Sequence, residues 1–323
     1  MTRRKRWFAA LLAGLVVAVT GCGSSDASEV RFGYIGDYNG ASLLAVAEDQ
    51  KLWEKHGLTA DVSEFTNGPL QIQALGSGDL DFGYIGPGAM WLPASGQAKV
   101  VALNTLGNAD RVIAQPGITD VAGLRGKTVG VPQGTSGEMI LDLALRRAGM
   151  TENDVKVVPM DASTIVSALS AKRIDAAGFW YPALDTVKKQ VPGLVELAKN
   201  SDFAGEMEFP TAFVAGNEVV GTDKARRTAA VLRDAMRYRT ANPERTVELT
   251  AGLLKKDPAE VRADAANVQV LGVDELDRLT RDGTVRRWLA GMDDYFTRTG
   301  QLKRSTGPEN YYAGELFTSA GNP

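Results

Sequence analysis

Apolar positions along this chain fall into short continuous runs, separated by stretches whose apolar residues recur with helical spacing. Val30-Arg31-Phe32-Gly33-Tyr34 predicts a first strand, Gly36 to Gly40 a loop, and Ser42 to Lys55 a helix. Asp61 to Phe65 predicts the next strand and Pro69 to Leu75 a short helix. After the turn Gly76-Ser77-Gly78-Asp79, Leu80 to Ile85 predicts a third strand, and Gly86-Pro87-Gly88 leads into another helix.

The same order then recurs. Thr128 to Val131 predicts a strand, Pro132 to Gly137 a loop and Glu138 to Ala148 a helix. Val155 to Val158 is the next strand, Ser163 to Leu169 a helix, Ala171 to Arg173 a turn, Ile174 to Phe179 a strand and Trp180 to Pro182 a loop. Gly33 and Gly40 correspond to Gly130 and Gly137, and Ala74-Leu75 and Leu80-Asp81 to Ala168-Leu169 and Ile174-Asp175. Strands alternating with helices predict an α/β protein whose parallel sheets are covered on both faces. Two similar units predict two lobes with a cleft between them; one larger doubly wound sheet is the alternative.

The remainder is mostly helical. Thr222-Asp223 caps a helix ended by Asn242-Pro243, Asp257-Pro258 starts another, and Asp274 to Arg281 and Thr284 to Thr299 continue to Gly300. These helices are expected to pack back on the first lobe, giving lobe one over 30–112, lobe two over 113–213 and the return over 214–323. The two hinge crossings are expected near Arg111 to Pro116 and near Thr211 to Gly216.

The amino terminus changes the picture. Arg3, Arg4, Lys5 and Arg6 precede an unbroken apolar run from Trp7 to Val19, then Val19-Thr20-Gly21-Cys22. A basic head, a short apolar segment and small residues describe a secretory signal, too short for the ~20 residues of a bilayer span. The small pair before Cys22 looks like a bacterial lipobox, in which the cysteine is lipidated and 1–21 is removed, leaving 22–29 as a tether. The expected location is the extracytoplasmic face of the bacterial membrane, held through Cys22.

Among 323 residues there is one cysteine and one histidine, and the formal net charge of −3 includes the four leader cations. An acidic exported chain suits neither nucleic acid nor an anionic membrane surface. With no cysteine beyond Cys22, disulfides, thiol nucleophiles and cysteine-bound metals are excluded from the exported part. His56, in Trp53-Glu54-Lys55-His56-Gly57, reads as a helix C-terminus that complements the helix dipole. No catalytic residue, cofactor or metal is expected.

Phe65-Thr66-Asn67-Gly68 followed by Ala74-Leu75-Gly76-Ser77-Gly78-Asp79-Leu80-Asp81 resembles the first-lobe signature of nitrate/sulfonate/taurine-type ABC importer binding proteins. Leu124-Arg125-Gly126-Lys127-Thr128-Val129-Gly130-Val131-Pro132 is similar to the start of their second lobe, and Ala168-Leu169, Ile174-Asp175-Ala176 and Trp180-Tyr181-Pro182 to a later stretch. The likeness covers about residues 30 to 215 well and the C-terminal helices only in pattern. It implies the type II periplasmic-binding-protein fold, two α/β lobes with a ligand cleft and two hinge crossings, and as partners a membrane permease with its ATPase. A monomer is expected.

Ligands in such sheets bind beyond the carboxyl ends of the strands, where unpaired helix amides and the helix dipole favour anions. Tyr38-Asn39-Gly40, Gly86-Pro87-Gly88 and Thr135-Ser136-Gly137 are the three turns expected to converge on a small organic anion. Trp180, Tyr181, Tyr38 and Phe213 are expected to wall its organic tail, with Thr211 beside them, whereas Trp91 reads as core. In taurine-binding members, the resemblance implies, the segment matching Pro210-Thr211-Ala212-Phe213-Val214 carries a carboxylate for the amine; here Phe213 falls at that position. An aliphatic sulfonate is therefore expected ahead of taurine or nitrate, unless Glu206, Glu208 or Asp110 restores an acidic contact. Arg111 is either an anion partner at the cleft mouth or solvated at the hinge. The alternatives are an enzyme resembling pyrimidine-precursor synthases, which depend on histidine and a cysteine cluster, and a sensor or interaction lipoprotein that needs no ligand.

Overall fold

A computed structural model describes residues 28–320. The expected leader, Cys22 and most of the tether lie outside those residues. Eleven strands form two sheets among the described residues. The first contains β1 (Glu29–Ile35), β2 (Thr59–Phe65), β3 (Phe82–Ile85), β4 (Lys99–Gly107), β10 (Pro210–Ala215) and β11 (Val268–Val270), in the order β11-β4-β10-β3-β1-β2. The second contains β5 (Asp110–Ala114), β6 (Thr128–Val131), β7 (Lys156–Pro159), β8 (Ala176–Trp180) and β9 (Val195–Lys199), in the order β7-β6-β8-β5-β9.

The two orders are copies. β2-β1-β3-β10-β4 in one sheet matches β7-β6-β8-β5-β9 in the other, with β11 added at one edge. In each lobe the first three strands run parallel, joined by helices. The fourth place is taken by a strand arriving from the other lobe, and it runs antiparallel to its neighbours. The sheets are thus mixed, not purely parallel. A chain that crosses from the end of one sheet enters the next from its ligand-facing edge, which fixes the reversed direction.

This also moves the crossings. Residues 111–114 and 211–215 lie inside β5 and β10, so the chain changes lobe just before each: at Asn108-Ala109, and between Phe203 and Pro210. The two crossings are laced together. The Gly107 amide donates to Phe209 O at 2.8 Å, the Ser201 amide to Asn108 Oδ1 at 3.1 Å and the Asp110 amide to Asn200 Oδ1 at 2.8 Å.

Local sequence explains the element limits. Asp37 accepts the Gly40 amide and starts the first helix at Tyr38, before the expected Ser42. Lys51, at a φ of 51°, breaks that helix into Tyr38–Asp49 and Leu52–Lys55. Thr135 caps the second-lobe helix Ser136–Arg147. His56 ends its helix and meets Asp234 at 3.0 Å on the Asp223–Ala241 helix, a structural contact. In the first lobe Phe32 stacks on Phe82 at 5.6 Å and meets Phe213 edge-on at 5.8 Å.

The lobes are closed on each other. Tyr295, on the Thr284–Thr299 helix, donates to Asp142 of the second lobe at 2.8 Å, and Lys189 pairs with Glu260 at 2.9 Å. Trp91 lies half-buried against Gly134, its Nε1 3.4 Å from the Gly134 carbonyl, and so belongs to the interlobe seam. Gly88 approaches closest: a Cβ built on it would lie 2.1 Å from Ser136 N. Its own φ is compatible with alanine, so closure alone demands the glycine. Gly88→Ala is expected to leave each lobe folded but to penalise the closed form by at least about 1–3 kcal/mol. Small-angle scattering would register a larger radius of gyration than in the wild type.

Candidate functional site

The edges of the two sheets that face each other enclose an inner chamber of about 40 Å³. Lobe one supplies Ile35 at the end of β1, Asp37 and Asn39 at the first helix start, Tyr84 from β3, Gly86 and Pro87 beyond it, and Thr211 at the start of β10. Lobe two supplies Asp110 at the start of β5, Ser136 at its helix start and Trp180 at the end of β8. Trp180 and Ile35 also line an outer chamber of about 430 Å³, which opens between Glu64-Phe65-Thr66 on one side and Asp161 to Val166 and Pro182 to Lys189 on the other.

The electrostatics differ from expectation. Asp37 is 6% and Asp110 4% exposed, and no lysine, arginine or histidine lines the inner chamber. Burial pushes Asp37 well above the usual carboxylate range, helped by repulsion from Asp264 and Asp110. Burial also raises Asp110, against hydrogen bonds from Ser136 and Asn200, the latter at 2.9 Å. Asp264, on the Pro258–Ala265 helix, is pushed up by burial to about 6. Its Oδ2 accepts the Tyr38 amide at 2.7 Å, while its Oδ1 is buried without a partner. The start of the first helix, where an anion was expected, is therefore occupied by the protein's own carboxylates: Asp264 takes the Tyr38 amide and Asp37 the Gly40 amide at 2.7 Å.

A polar chain backs the chamber wall. Arg239, fully buried and lowered by that burial to about 10, donates to Asn104 Oδ1 at 2.8 Å. Asn104 Nδ2 donates to Asn39 O at 2.8 Å, and Thr105 Oγ1 to Asn39 Oδ1 at 2.9 Å. Asn39 is thus pinned from behind by β4 and the Asp223–Ala241 helix.

Of the thirteen residues singled out from sequence for ligand contact, Asn39, Gly86, Pro87, Ser136, Trp180 and Thr211 come together on the inner chamber. The others do not line it. Tyr38 packs on Val247, Ala251 and Val261. Gly40 and Gly137 permit close approach of backbone, a Cβ on each meeting Ile35 O at 2.5 Å and Gly178 O at 2.4 Å. Thr135 spends its hydroxyl on Pro132 O at 2.6 Å, and Gly88 forms the seam. Tyr181 stands outside, between the Arg111 guanidinium and Lys188, which donates to its hydroxyl at 2.9 Å. Phe213 is fully buried against Phe32 and Tyr84, because a residue in the middle of β10 points into the lobe-one core. It carries no information about an amine.

Arg111 is buried, bonded to the Asn108 and Asp110 carbonyls at 2.7 and 2.8 Å and paired with Glu196 at 3.2 Å, so it braces the crossing. Glu206 is exposed and pairs with Arg147. Asp37 and Tyr84 went unnoticed in the sequence, although an aspartate immediately before a helix is a recognisable cap signal.

The family model described as NMT1/THI5 like matches residues 41–246, which span both lobes of this cleft. The chain belongs to the NMT1/THI5-like family. Relatives of this family member from Brucella abortus, named only as binding proteins, are 54% identical over 297 residues, covering 91% of this chain and 93% of theirs. The taurine-binding periplasmic protein of Escherichia coli K12 is 27% identical over 206 residues, 61% of this chain and 62% of that one. The alkanesulfonate-binding protein of Xanthomonas axonopodis pv. citri, solved bound to MOPS, has the same fold: TM-score 0.71 at 19% identity, over 89% of this chain and 99% of that one. A desulfurization enzyme shares it too, at a TM-score of 0.66 and 15% identity over 91% and 98%. The fold of this NMT1/THI5-like chain is thus the two-lobed periplasmic-binding-protein fold.

Asp37, Asp110 and Asp264 all hold protons more tightly when folded than when unfolded, where a carboxylate titrates near ~4. Between the two values the folded state binds more protons, so stability falls as pH rises. Asp264 faces Lys256 and Asp185 as well as Asp37, and Lys256 is held by Gly36 O at 2.8 Å. The ligand-free protein is expected to melt at a higher temperature near pH ~5 than at neutral pH, and Asp264→Asn to flatten that difference. Calorimetry across this range checks it.

Proposed function

We propose that this NMT1/THI5-like protein is the extracytoplasmic solute-capture component of an ABC importer. It closes its lobes on a small organic solute and presents the closed form to a membrane permease coupled to an ATPase. The observation that carries this reading is the inner chamber itself: its walls come from both lobes, and interlobe contacts at Gly88, Trp91 and Tyr295 shut it. Ligand binding and lobe closure are then one event, and the closed shape is the signal a permease can read. The relatives named for taurine and for alkanesulfonates agree with a small polar solute.

The solute is held without chemistry. The single histidine is spent on Asp234, away from the chamber, and the single cysteine is Cys22. A bare sulfonate or nitrate fits the chamber poorly, because the Tyr38 and Gly40 amides of the first-lobe helix are already bonded to carboxylates and the lining carries two acids. Taurine, which brings an ammonium, fits it better than an alkanesulfonate does. Cys22 carries the lipid that holds a monomer at the membrane; two or more acyl chains suffice for stable anchoring.

Small-angle scattering and Trp180 fluorescence, read together during titration with taurine, are expected to report compaction and a fluorescence change with one midpoint. A radius of gyration that never responds to any small solute would end the capture reading. Cys22→Ser is expected to shift the protein from the membrane fraction to the soluble extracytoplasmic fraction on cell fractionation; unchanged membrane association would remove the anchor.

A further inference from the structure

The polar side chains facing the inner chamber offer acceptors. Thr105 Oγ1 donates to Asn39 Oδ1, so the 2.9 Å contact between Thr105 and Thr211 uses the Thr211 proton. Ser136 is bonded to the Asp110 carboxylate, which when ionised can only accept. The Thr105, Thr211 and Ser136 hydroxyl protons are thus spent within the wall. What Ser136, Asp37 and Asp110 present to the chamber is chiefly acceptor oxygens.

The two carboxylates have no cation of their own here. Asp37 is more than nine-tenths buried, lines the chamber and makes no ion pair among the described residues. Lys256, the cation that acts on it, is held by the Gly36 carbonyl and faces the outer chamber. Arg111, beside Asp110, turns its guanidinium to Glu196 and to backbone carbonyls. An anion placed in this chamber would add a third negative charge; a group with several N–H donors and a positive charge would complete it.

We infer that the inner chamber holds a protonated amine, clasped between Asp37 of the first lobe and Asp110 of the second, with the body of the ligand passing Trp180 into the outer chamber. The inference rests on the solute-capture reading and names the chemical class of the solute. It also supplies the closing force. Closing the empty chamber buries both acids at a desolvation cost that favours their protonated forms, and an ammonium between them favours the ionised forms and gives two charge-assisted hydrogen bonds. The indole of Trp180 gives the cation an aromatic face at the junction of the chambers. Phe65, Val166 and Pro182 give the outer chamber apolar wall for a small organic body.

Isothermal titration at neutral pH with matched pairs tests this, keeping the body and changing the head: benzylamine against phenylmethanesulfonate, and taurine against isethionate and ethanesulfonate. The amine of each pair is expected to bind at least ~100-fold more tightly, since a site built of buried acceptors rejects a partner that cannot donate to them. Asp37→Asn and Asp110→Asn are each expected to weaken amine binding by a similar factor. Asparagine still caps the Gly40 amide, and loss of an unpaired buried charge leaves the ligand-free melting temperature unchanged or higher. Asp264→Asn, beside the chamber but not on it, controls for damage and is expected to keep amine binding; loss there would count against the inference. Sulfonates binding as tightly as the amines, or amines binding both chamber variants as well as the wild type, would overturn the amine and leave solute capture standing. No heat with any probe of either charge would overturn both.

Discussion

Two carboxyl groups buried on one small chamber, from opposite lobes and with no cation lining that chamber, set the terms for the rest of this protein. Removing an ionised carboxylate from water costs several kcal/mol even after relaxation. The Gly40 amide at Asp37, and Ser136 and Asn200 at Asp110, offset only part of that cost, and both groups remain shifted toward their protonated forms. A fold selected for stability alone would place a lysine here, or exclude the charge. Keeping both acids there costs the ligand-free fold stability.

The duplicated topology explains how two acids from distant parts of the chain can meet. Each sheet contributes the edge where its parallel strands end, and each receives an antiparallel strand from the other lobe at the same relative place. Those exchanged strands begin at the cleft. Asp110 starts β5 and Thr211 lies next to the start of β10, so both crossings deliver a polar residue to the chamber as they change lobe. The hinge and the site are built from the same short segments, and a change in the hinge angle necessarily changes the distance across the chamber.

The C-terminal helices do more than cover the first lobe. Asp264 occupies the start of the first helix, and Lys256 ties Gly36 beside it. Arg239 reaches from behind to hold Asn104, and through it Asn39. These groups come from the return segment, which has no counterpart in the second lobe. The two halves of the cleft are therefore similar in backbone and different in charge, and a ligand with two unlike ends has only one way to lie between them.

Much of this architecture was legible in the chain. Short continuous apolar runs between helically spaced stretches located β1, β2, β3, β6, β7 and β8, and the matched glycines identified the duplication, because local patterning reports which residues face a core. Four of the chamber residues, Asn39, Gly86, Pro87 and Ser136, followed from the rule that strand-to-helix turns line a cleft, and Trp180 and Thr211 from the search for an apolar wall. β4, β9 and β11 were not visible as separate elements, and β5 and β10 read as hinges, because a strand whose partners are distant in sequence carries no local mark of its place in the sheet. Phe213 looked like a specificity residue until its side of β10 was known; only tertiary pairing decides which face of a strand is buried. Local patterning along the chain already carried the two α/β units, whereas the expected export leader and Cys22 lie outside the described residues. The acidity of the cleft was decided by folding, which brings Asp37, Asp110 and Asp264 from far apart along the chain to one helix start and one seam, where burial disfavours their charged forms.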